Sequence, residues 1–427
     1  MLAFEISRLS DEERRRLVSR EGVDLSAPLA AAAAIVGRVR SGGDQALLAC
    51  AREFDSFTGG PLRVPEAELL AAMDRLPAEL MDAMVACKER IEKFHSEQVF
   101  RPFEYIDESG SFGQKVVPLD RVGVYVPGGT ADYASSVLMA CVPARVAGVP
   151  EIVLCTPARG GRVGDAVLAA AGLCGVREVY SVGGAQAIAA MAYGTETIPP
   201  VRKIVGPGGA FVTAAKLLVR NDCEIDFLAG PSEVLVVADG GADPLLLAAE
   251  MLAQLEHDPL ARAVLVSTSS DALQATARRL RELTGSASRR STVEAASREG
   301  AVFLLAKDLD EALAFSNEYA PEHLVLDVSS PREALGKVTS AGSVFVGRRS
   351  SVAFGDYCAG PNHILPTKGT ASARSSLSTY DFMKVIPYQE LTASGASRLA
   401  PLAERMAMAE GLPGHAQAAR LRKEVGM

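Results

Sequence analysis

The chain has 427 residues, 48% hydrophobic, 22% charged and 5% aromatic with no Trp, a composition ordinary for a globular α/β protein with a large core. At roughly 100–200 residues per domain, two or more domains are expected. The net charge of −8 and pI near 5.4, with basic runs as short as Arg14-Arg15-Arg16 and Arg348-Arg349, argue against a nucleic-acid or anionic-membrane surface.

No stretch reaches the ~18–20 uninterrupted apolar residues of a membrane span. The opening Met1-Leu2-Ala3-Phe4-Glu5 turns charged at once and has no signal-peptide core. Seven cysteines (50, 87, 141, 155, 174, 223 and 358) stand singly, with no CxxC, which fits reduced thiols. The expected compartment is the cytoplasm.

The first quarter reads as helix, over Leu29–Val39 and Pro77–Gln98. From Val122 the texture changes. Strands are predicted at Val122–Val126, Glu151–Cys155, Glu178–Val182 and Lys203–Val205, each followed by a helix. A second series follows: strands at Glu233–Ala238, Ala263–Ser267, Val302–Leu305, Leu324–Val328 and Ser343–Val346, with helices at Pro244–Glu256, Asp271–Leu283 and Leu309–Glu318. Such alternation means parallel βαβ units. The fold class is therefore α/β: two Rossmann-like wound βα domains side by side, with helical N- and C-terminal arms. The boundaries expected are an arm at 1–25, a discontinuous first domain at 26–121 and 233–375, a second domain at 122–232, and a C-terminal arm at 376–427.

Three strands empty into Gly/Pro turns at helix starts, Pro127-Gly128-Gly129, Gly183-Gly184 and Gly206-Pro207-Gly208-Gly209. Helix N-terminal N–H groups attract phosphate there. None matches G-x-G-x-x-G, so taken alone each reads as a tight βα turn before it reads as a dinucleotide site.

The chain has five histidines, and four lie in suggestive segments. Gln254 and His257 share one helix face, with Glu250 a turn earlier, which suits either a divalent cation or a dipole-favoured helix end. Glu322 and His323 sit together after Pro321, as an acid/base pair or a polar connector. Adjacent residues in extended backbone point apart, so a shared substrate requires a turn at Pro321. The loop from Gly355 to His363 holds Asp356, Asn362 and His363, and His415 closes a Gly/Pro-rich segment after Glu410. His95, inside a helix, reads as surface or packing. No cysteine looks activated; Cys358, beside the polar loop, is structural or incidental.

Together these segments resemble the histidinol dehydrogenase family across nearly the whole chain. The resemblance rests on Arg121-Val-Gly-Val-Tyr-Val-Pro-Gly-Gly129, Ser135-Ser-Val-Leu-Met139, Gly183-Gly-Ala-Gln-Ala-Ile188 and Leu228-Ala-Gly-Pro-Ser-Glu-Val-Leu235. It continues through Gln254-Leu-Glu-His257, Pro321-Glu-His-Leu324, Gly355-Asp-Tyr357, Gly360-Pro-Asn-His-Ile-Leu-Pro-Thr367 and Glu410 to His415.

The resemblance implies NAD-dependent oxidation of L-histidinol through L-histidinaldehyde to L-histidine, the last step of histidine biosynthesis. It implies one Zn²⁺ per subunit, held by Gln254, His257, Asp356 and His415, the last from the partner subunit of an intertwined homodimer. His323 would be the base and Glu322 the activator of water. Ser232 and Glu410 would hold the amino alcohol, Tyr125 and Gln186 would touch NAD⁺ in the 122–232 domain, and His363 would orient substrate. Two departures stand out: Gly209 replaces the family's usual cofactor-contacting Asn, and Ser372-Ala373-Arg374 differs from common members. A relative that oxidises another alcohol, and a non-catalytic metal-binding or scaffold protein, are the competing readings.

Overall fold

In the computed structural model, residues 4–20, 25–55, 57, 59–128, 132–228 and 230–423 are described. Gly129 and Ala229, each inside a motif above, lie outside the described residues. The chain divides into two compact units, Met1–Gln98 with Asp120–Phe382, and Val99–Leu119 with Met383–Met427.

The chain begins with β1 (Phe4–Glu5), α1 (Asp11–Ser19), α2 (Ser26–Phe54), α3 (Glu66–Arg75) and α4 (Ala78–Ser96). Two strands of the smaller unit follow, β2 (Phe103–Asp107) and β3 (Gly110–Pro118). The first wound series is β4 (Arg121–Tyr125), α5 (Ala134–Val146), β5 (Glu151–Thr156), α6 (Asp165–Leu173), β6 (Glu178–Ser181), α7 (Gly184–Tyr193), β7 (Lys203–Val205), α8 (Ala210–Val219) and β8 (Glu224–Ile225). The second opens with β9 (Glu233–Ala238), α9 (Pro244–Leu255), β10 (Arg262–Ser267), α10 (Ser270–Ser286), α11 (Arg290–Gly300) and β11 (Ala301–Leu305). It closes with α12 (Leu309–Tyr319), β12 (His323–Asp327), α13 (Pro331–Leu335), β13 (Ser343–Val346) and α14 (Val352–Tyr357). The chain then gives β14 (Met383–Leu391), α15 (Ala393–Ala409) and α16 (Pro413–Lys423) to the smaller unit.

Within the larger unit lie two all-parallel sheets, in the orders β6-β5-β4-β7-β8 and β1-β11-β10-β9-β12-β13. The expected α/β class with two wound layers is what the chain adopts. The central strands are buried on both faces, as in β9, where every residue is buried. Helices cover both faces of such a sheet, so its strands read as continuous apolar runs. Side chains of Asp243, Ser269 and Asp308 accept the N–H groups of Leu245, Ala272 and Glu311 and so define the starts of α9, α10 and α12. Sequence reasoning grouped 26–121 with 233–375. In the structure α2 packs on α7 and α8, α3 on α6, and α4 on α5, all around the five-stranded sheet. Among the described residues, no helix is long and apolar enough to cross a membrane.

The smaller unit is an antiparallel sheet, β14-β3-β2, with α15 and α16 packed on one another. Pairing of β14 with β3 runs from Met383 opposite Pro118 to Leu391 opposite Gly110. The C-terminal arm is therefore helical only in part. Val385, Ile386, Tyr388 and Leu391 of β14 are exposed, so no inward-facing pattern announced the strand.

Two buried polar networks shape the larger unit near its functional loops. Lys216 Nζ lies 2.6 Å from Asp226 Oδ1 and donates to the Gly206 carbonyl at 2.6 Å, while Asp226 Oδ2 accepts the Gly206 N–H at 2.8 Å. This pins Gly206 at φ +113°, where a Cβ would strike the carbonyl of Tyr125. His95 is a packing residue. Its Nδ1 is 2.6 Å from Gln98 Oε1, and its Nε2 is 3.3 Å from Asn362 Nδ2. Asn362 also donates to the Met139 carbonyl at 2.6 Å and accepts from Ile364 N–H at 2.8 Å, which fastens the loop that follows α14, the helix that carries Asp356.

Removing one member of a buried ion pair strands the other charge, so Asp226→Ala is expected to lose about 3–5 kcal/mol of stability. Thermal unfolding reads this as a lower midpoint, and an unchanged midpoint would show that the pair does not hold the Gly206 turn. Asn362→Ala leaves buried partners unsatisfied and should lose about 1–3 kcal/mol. Faster amide hydrogen exchange across 355–365 would accompany it; native-like protection there would contradict the anchoring.

Candidate active site

A cavity of about 460 Å³ opens within the larger unit, with walls supplied by both sheets. From the five-stranded sheet come Pro127 after β4, Ser135 and Ser136 at the start of α5, and Pro207–Ala210 between β7 and α8. These are carboxyl-end loops, where open α/β sheets commonly bind ligands. The other wall comes from the opposite end of the six-stranded sheet. Ser232 precedes β9, His323 begins β12 with Glu322 just before it, Gln254 and Asp356 lie in the last turns of α9 and α14, and His257 comes two residues after α9 ends. The carboxyl ends of one sheet thus face the amino ends of the other.

Glu322 and His323 both reach this cavity, with Glu322 Oε2 3.6 Å from His323 Nδ1. Helix α12 ends at Ala320 in the left-handed conformation, φ 46° and ψ 66°, immediately before Pro321. The reversal therefore involves Ala320 as well as Pro321. Glu322 Oε2 accepts the backbone N–H of Glu233 at 2.8 Å, and His323 Nδ1 lies 3.0 Å from the Glu233 carbonyl. A carbonyl only accepts, so Nδ1 carries a proton, and in the neutral ring the lone pair is at Nε2. That Nε2 is buried without a hydrogen-bond partner, 3.5 Å from Asp356 Oδ1.

Burial pushes the Glu322 carboxyl up to about 8, against the pull of His323. Burial opposes charge on His323 too, but Glu322 and Asp356 outweigh it and raise the imidazole to about 9. The two titrate as a pair that holds a proton near neutrality. Asp356, despite its burial, is held below the usual carboxylate range by the attraction of His323. His363 donates from Nδ1 to the Asp356 carbonyl at 2.7 Å, and its Nε2 is 3.3 Å from Ser136 Oγ. Burial lowers its pKa, which favours the neutral ring.

Ser232, Gln254, His257, Glu322, His323, Asp356, His363 and Gly209 thus share one cavity. Tyr125 and Gln186 do not line it. Both are buried, with Tyr125 Oη accepting the Gly184 N–H at 3.1 Å and Gln186 Nε2 donating to Asp55 Oδ2 at 3.0 Å. Glu250 instead accepts the Val352 N–H at 3.2 Å, and Cys358 is not on the wall. Glu410 and His415 belong to the smaller unit, where both are exposed.

Gln254 Nε2 is buried with no partner, an unsatisfied carboxamide beside His257 and Asp356. Among the described residues, no group of three or more His, Cys, Asp or Glu side chains is arranged to hold a metal. His257 and Asp356 are two such groups, Gln254 adds an amide donor, and a further ligand has to come from elsewhere.

Sequence reasoning assigned no role to Lys368 or Glu233. Lys368 lines the cavity with φ 55°, uncommon for a side chain other than Gly. Glu233 was visible as one carboxylate heading an apolar strand, a signal that a partner had to be buried with it.

Comparison with known proteins bears on this site. The family model described as "Histidinol dehydrogenase" matches residues 18–423. The histidinol dehydrogenase of Chromobacterium violaceum is 45% identical over 97% of this chain and 96% of its own length. That of Methanothermobacter thermautotrophicus is 45% identical over 98% of each. The crystal structure of histidinol dehydrogenase from Elizabethkingia anophelis superposes with a TM-score of 0.92 at 36% identity, covering 97% of this chain and 96% of that one. The matches span both sheets, the cavity between them and the smaller unit, and the chain belongs to the histidinol dehydrogenase family of oxidoreductases.

Proposed function

We propose that this enzyme oxidises L-histidinol through L-histidinaldehyde to L-histidine, reducing two NAD⁺, as the last step of histidine biosynthesis. The observation that carries the reading is the buried Glu322–His323 pair gathered with Gln254, His257 and Asp356 on one wall of one cavity. When bound, Zn²⁺ would position the imidazole and amino nitrogens of the substrate, and NAD⁺ would accept hydride in each oxidation.

His323 takes the hydroxyl proton at Nε2, the nitrogen left free by the Glu233 carbonyl. Glu322 then removes a proton from water as it adds to the aldehyde while His323 returns its proton to the aldehyde oxygen, giving a hydrate whose hydroxyl proton again passes to His323. Ser232, on the wall, would hold the amino alcohol together with Glu410 from the tail of a partner subunit, and His363 orients it beside Asp356. No thiolate is needed. Burial holds the Cys155 thiol well above its ordinary range, consistent with a purely structural cysteine.

Gln254, His257 and Asp356 would hold the metal with His415 of a partner subunit. The unsatisfied Gln254 carboxamide and the mixed N/O donors suit that ion. The homodimer draws support from the smaller unit, which exposes Phe103, Tyr105, Ile106, Ile386, Met406 and Met408. For the dinucleotide, the Gly206–Gly209 turn at the start of α8 suits close approach of a ligand, and a Cβ at Gly209 would meet nothing within 4 Å. Tyr125 and Gln186 would be the other contacts, from the 122–232 domain, once their present hydrogen bonds are exchanged.

NADH formation with L-histidinol, read by absorbance beside metal analysis of the same sample, tests the reading. His323→Asn should keep zinc and lose most turnover, whereas His415→Asn should lose both zinc and activity. Near-normal rates in the first would remove the base, and full zinc in the second would remove the ligand. Gly209→Asn has room for its side chain and adds a hydrogen bond of about 0.5–1.5 kcal/mol, so the Michaelis constant for NAD⁺ should fall up to about tenfold. An unchanged constant would count against Gly209 as a weak point of the cofactor site.

A further inference from the structure

We propose that Glu233 is a positioning residue for the Glu322–His323 pair, and that Arg20, from the N-terminal segment, is the brace that holds it in place. The proposal rests on the reading of Glu322 and His323 as the proton-transfer groups.

Glu233 is the first residue of β9, and its peptide groups serve two side chains at once. Its N–H donates to Glu322 Oε2 at 2.8 Å, and its carbonyl lies 3.0 Å from His323 Nδ1. In the parallel register His323 lies opposite Val234, so the β9–β12 pairing begins one residue after Glu233. Peptide groups at this strand end bind the neighbouring strand's side chains instead. One residue's backbone thereby sets the position of the carboxylate and the tautomer of the imidazole. A displacement of β9 at this point would misplace both.

The side chain of Glu233 is what fixes that strand end. It is 2% exposed, in a strand otherwise made of Val, Leu and Ala. A carboxylate there is costly unless paired. Its Oε1 lies 3.1 Å from Arg20 NH1 and accepts the Lys368 N–H at 3.2 Å, while its Oε2 is 3.4 Å from the Tyr319 hydroxyl. Arg20 is 3% exposed, donates from NH2 to the Tyr319 carbonyl, and lies with its guanidinium carbon 3.6 Å from the Tyr319 ring centroid. Tyr319 ends α12, three residues before Glu322. Arg20 therefore ties the chain entering Glu322 to the residue whose peptide receives Glu322. The brace closes on itself.

Neither Arg20, Glu233 nor Tyr319 lines the cavity. Their loss should leave substrate and metal groups in place and act on turnover through Glu322 and His323. Removing an outer partner of this kind typically lowers activity about 10–100-fold.

The test measures kcat, the KM for L-histidinol and bound zinc in E233Q, which keeps the shape and the backbone bonds but loses the charge facing Arg20. The expected result is a kcat lowered about 10–100-fold with KM within about twofold and zinc unchanged. R20Q should behave alike, with R20K restoring part of the rate, and these variants carry the test if E233Q does not fold. The decisive arm repeats E233Q in a His323→Asn background. Acting through His323, it should slow that enzyme far less than it slows the wild type. Wild-type kcat in folded E233Q and R20Q would overturn the proposal, as would equal slowing in both backgrounds or a loss of zinc. Near-normal turnover of His323→Asn alone would instead overturn the reading of the pair.

Discussion

The bond between His323 Nδ1 and the carbonyl of Glu233 decides which nitrogen meets the cavity, and much of the site follows from it. With Nδ1 committed as a donor, Nε2 is the nitrogen that exchanges a proton, and it faces Asp356 at 3.5 Å. The same peptide's N–H fixes Glu322, so an acid and a base adjacent in sequence face one space from one strand end. Burial gives this arrangement its force. Two carboxylates around one buried imidazole couple their protonation far more strongly than they would at a surface.

The two parallel sheets are used from opposite ends. The five-stranded sheet offers its carboxyl-end loops and the start of α8, where Gly206 is clamped by Lys216 and Asp226. The six-stranded sheet offers its amino ends, where strand N–H groups are available to a carboxylate such as Glu322. Helices α9 and α14 run back to that same end and deliver Gln254 and Asp356 from their last turns, with His257 just past the end of α9. One edge of the cavity is thus suited to an anionic dinucleotide and the other to a cation and to proton transfer.

Much of this was legible in the sequence because buried parallel strands carry a strong local signature. The run Glu233–Ala238 is a strand in both readings, and the strand expected at Val122–Val126 is Arg121–Tyr125 in the structure. Strand β14 was not legible, since its apolar side chains are exposed and alternate against no core. Nor was α11, whose Arg-, Ser- and Glu-rich sequence buries only Val293, Ala296 and Gly300. The cavity residues were legible one at a time, but their convergence depended on which sheet end each strand presents. Arg20 and Glu233 were the least accessible, because a salt bridge between residues this far apart in sequence leaves no periodic trace. The solitary charge at the head of β9 was its only sign.

The central claim is that one buried pair serves both oxidations of one substrate in one site. The most direct measurement is the yield of NADH per molecule of L-histidinol consumed to completion with excess NAD⁺, together with the identity of the product. The account predicts two NADH and L-histidine, with no free aldehyde accumulating. One NADH per L-histidinol, with histidinaldehyde released as the end product, would contradict it.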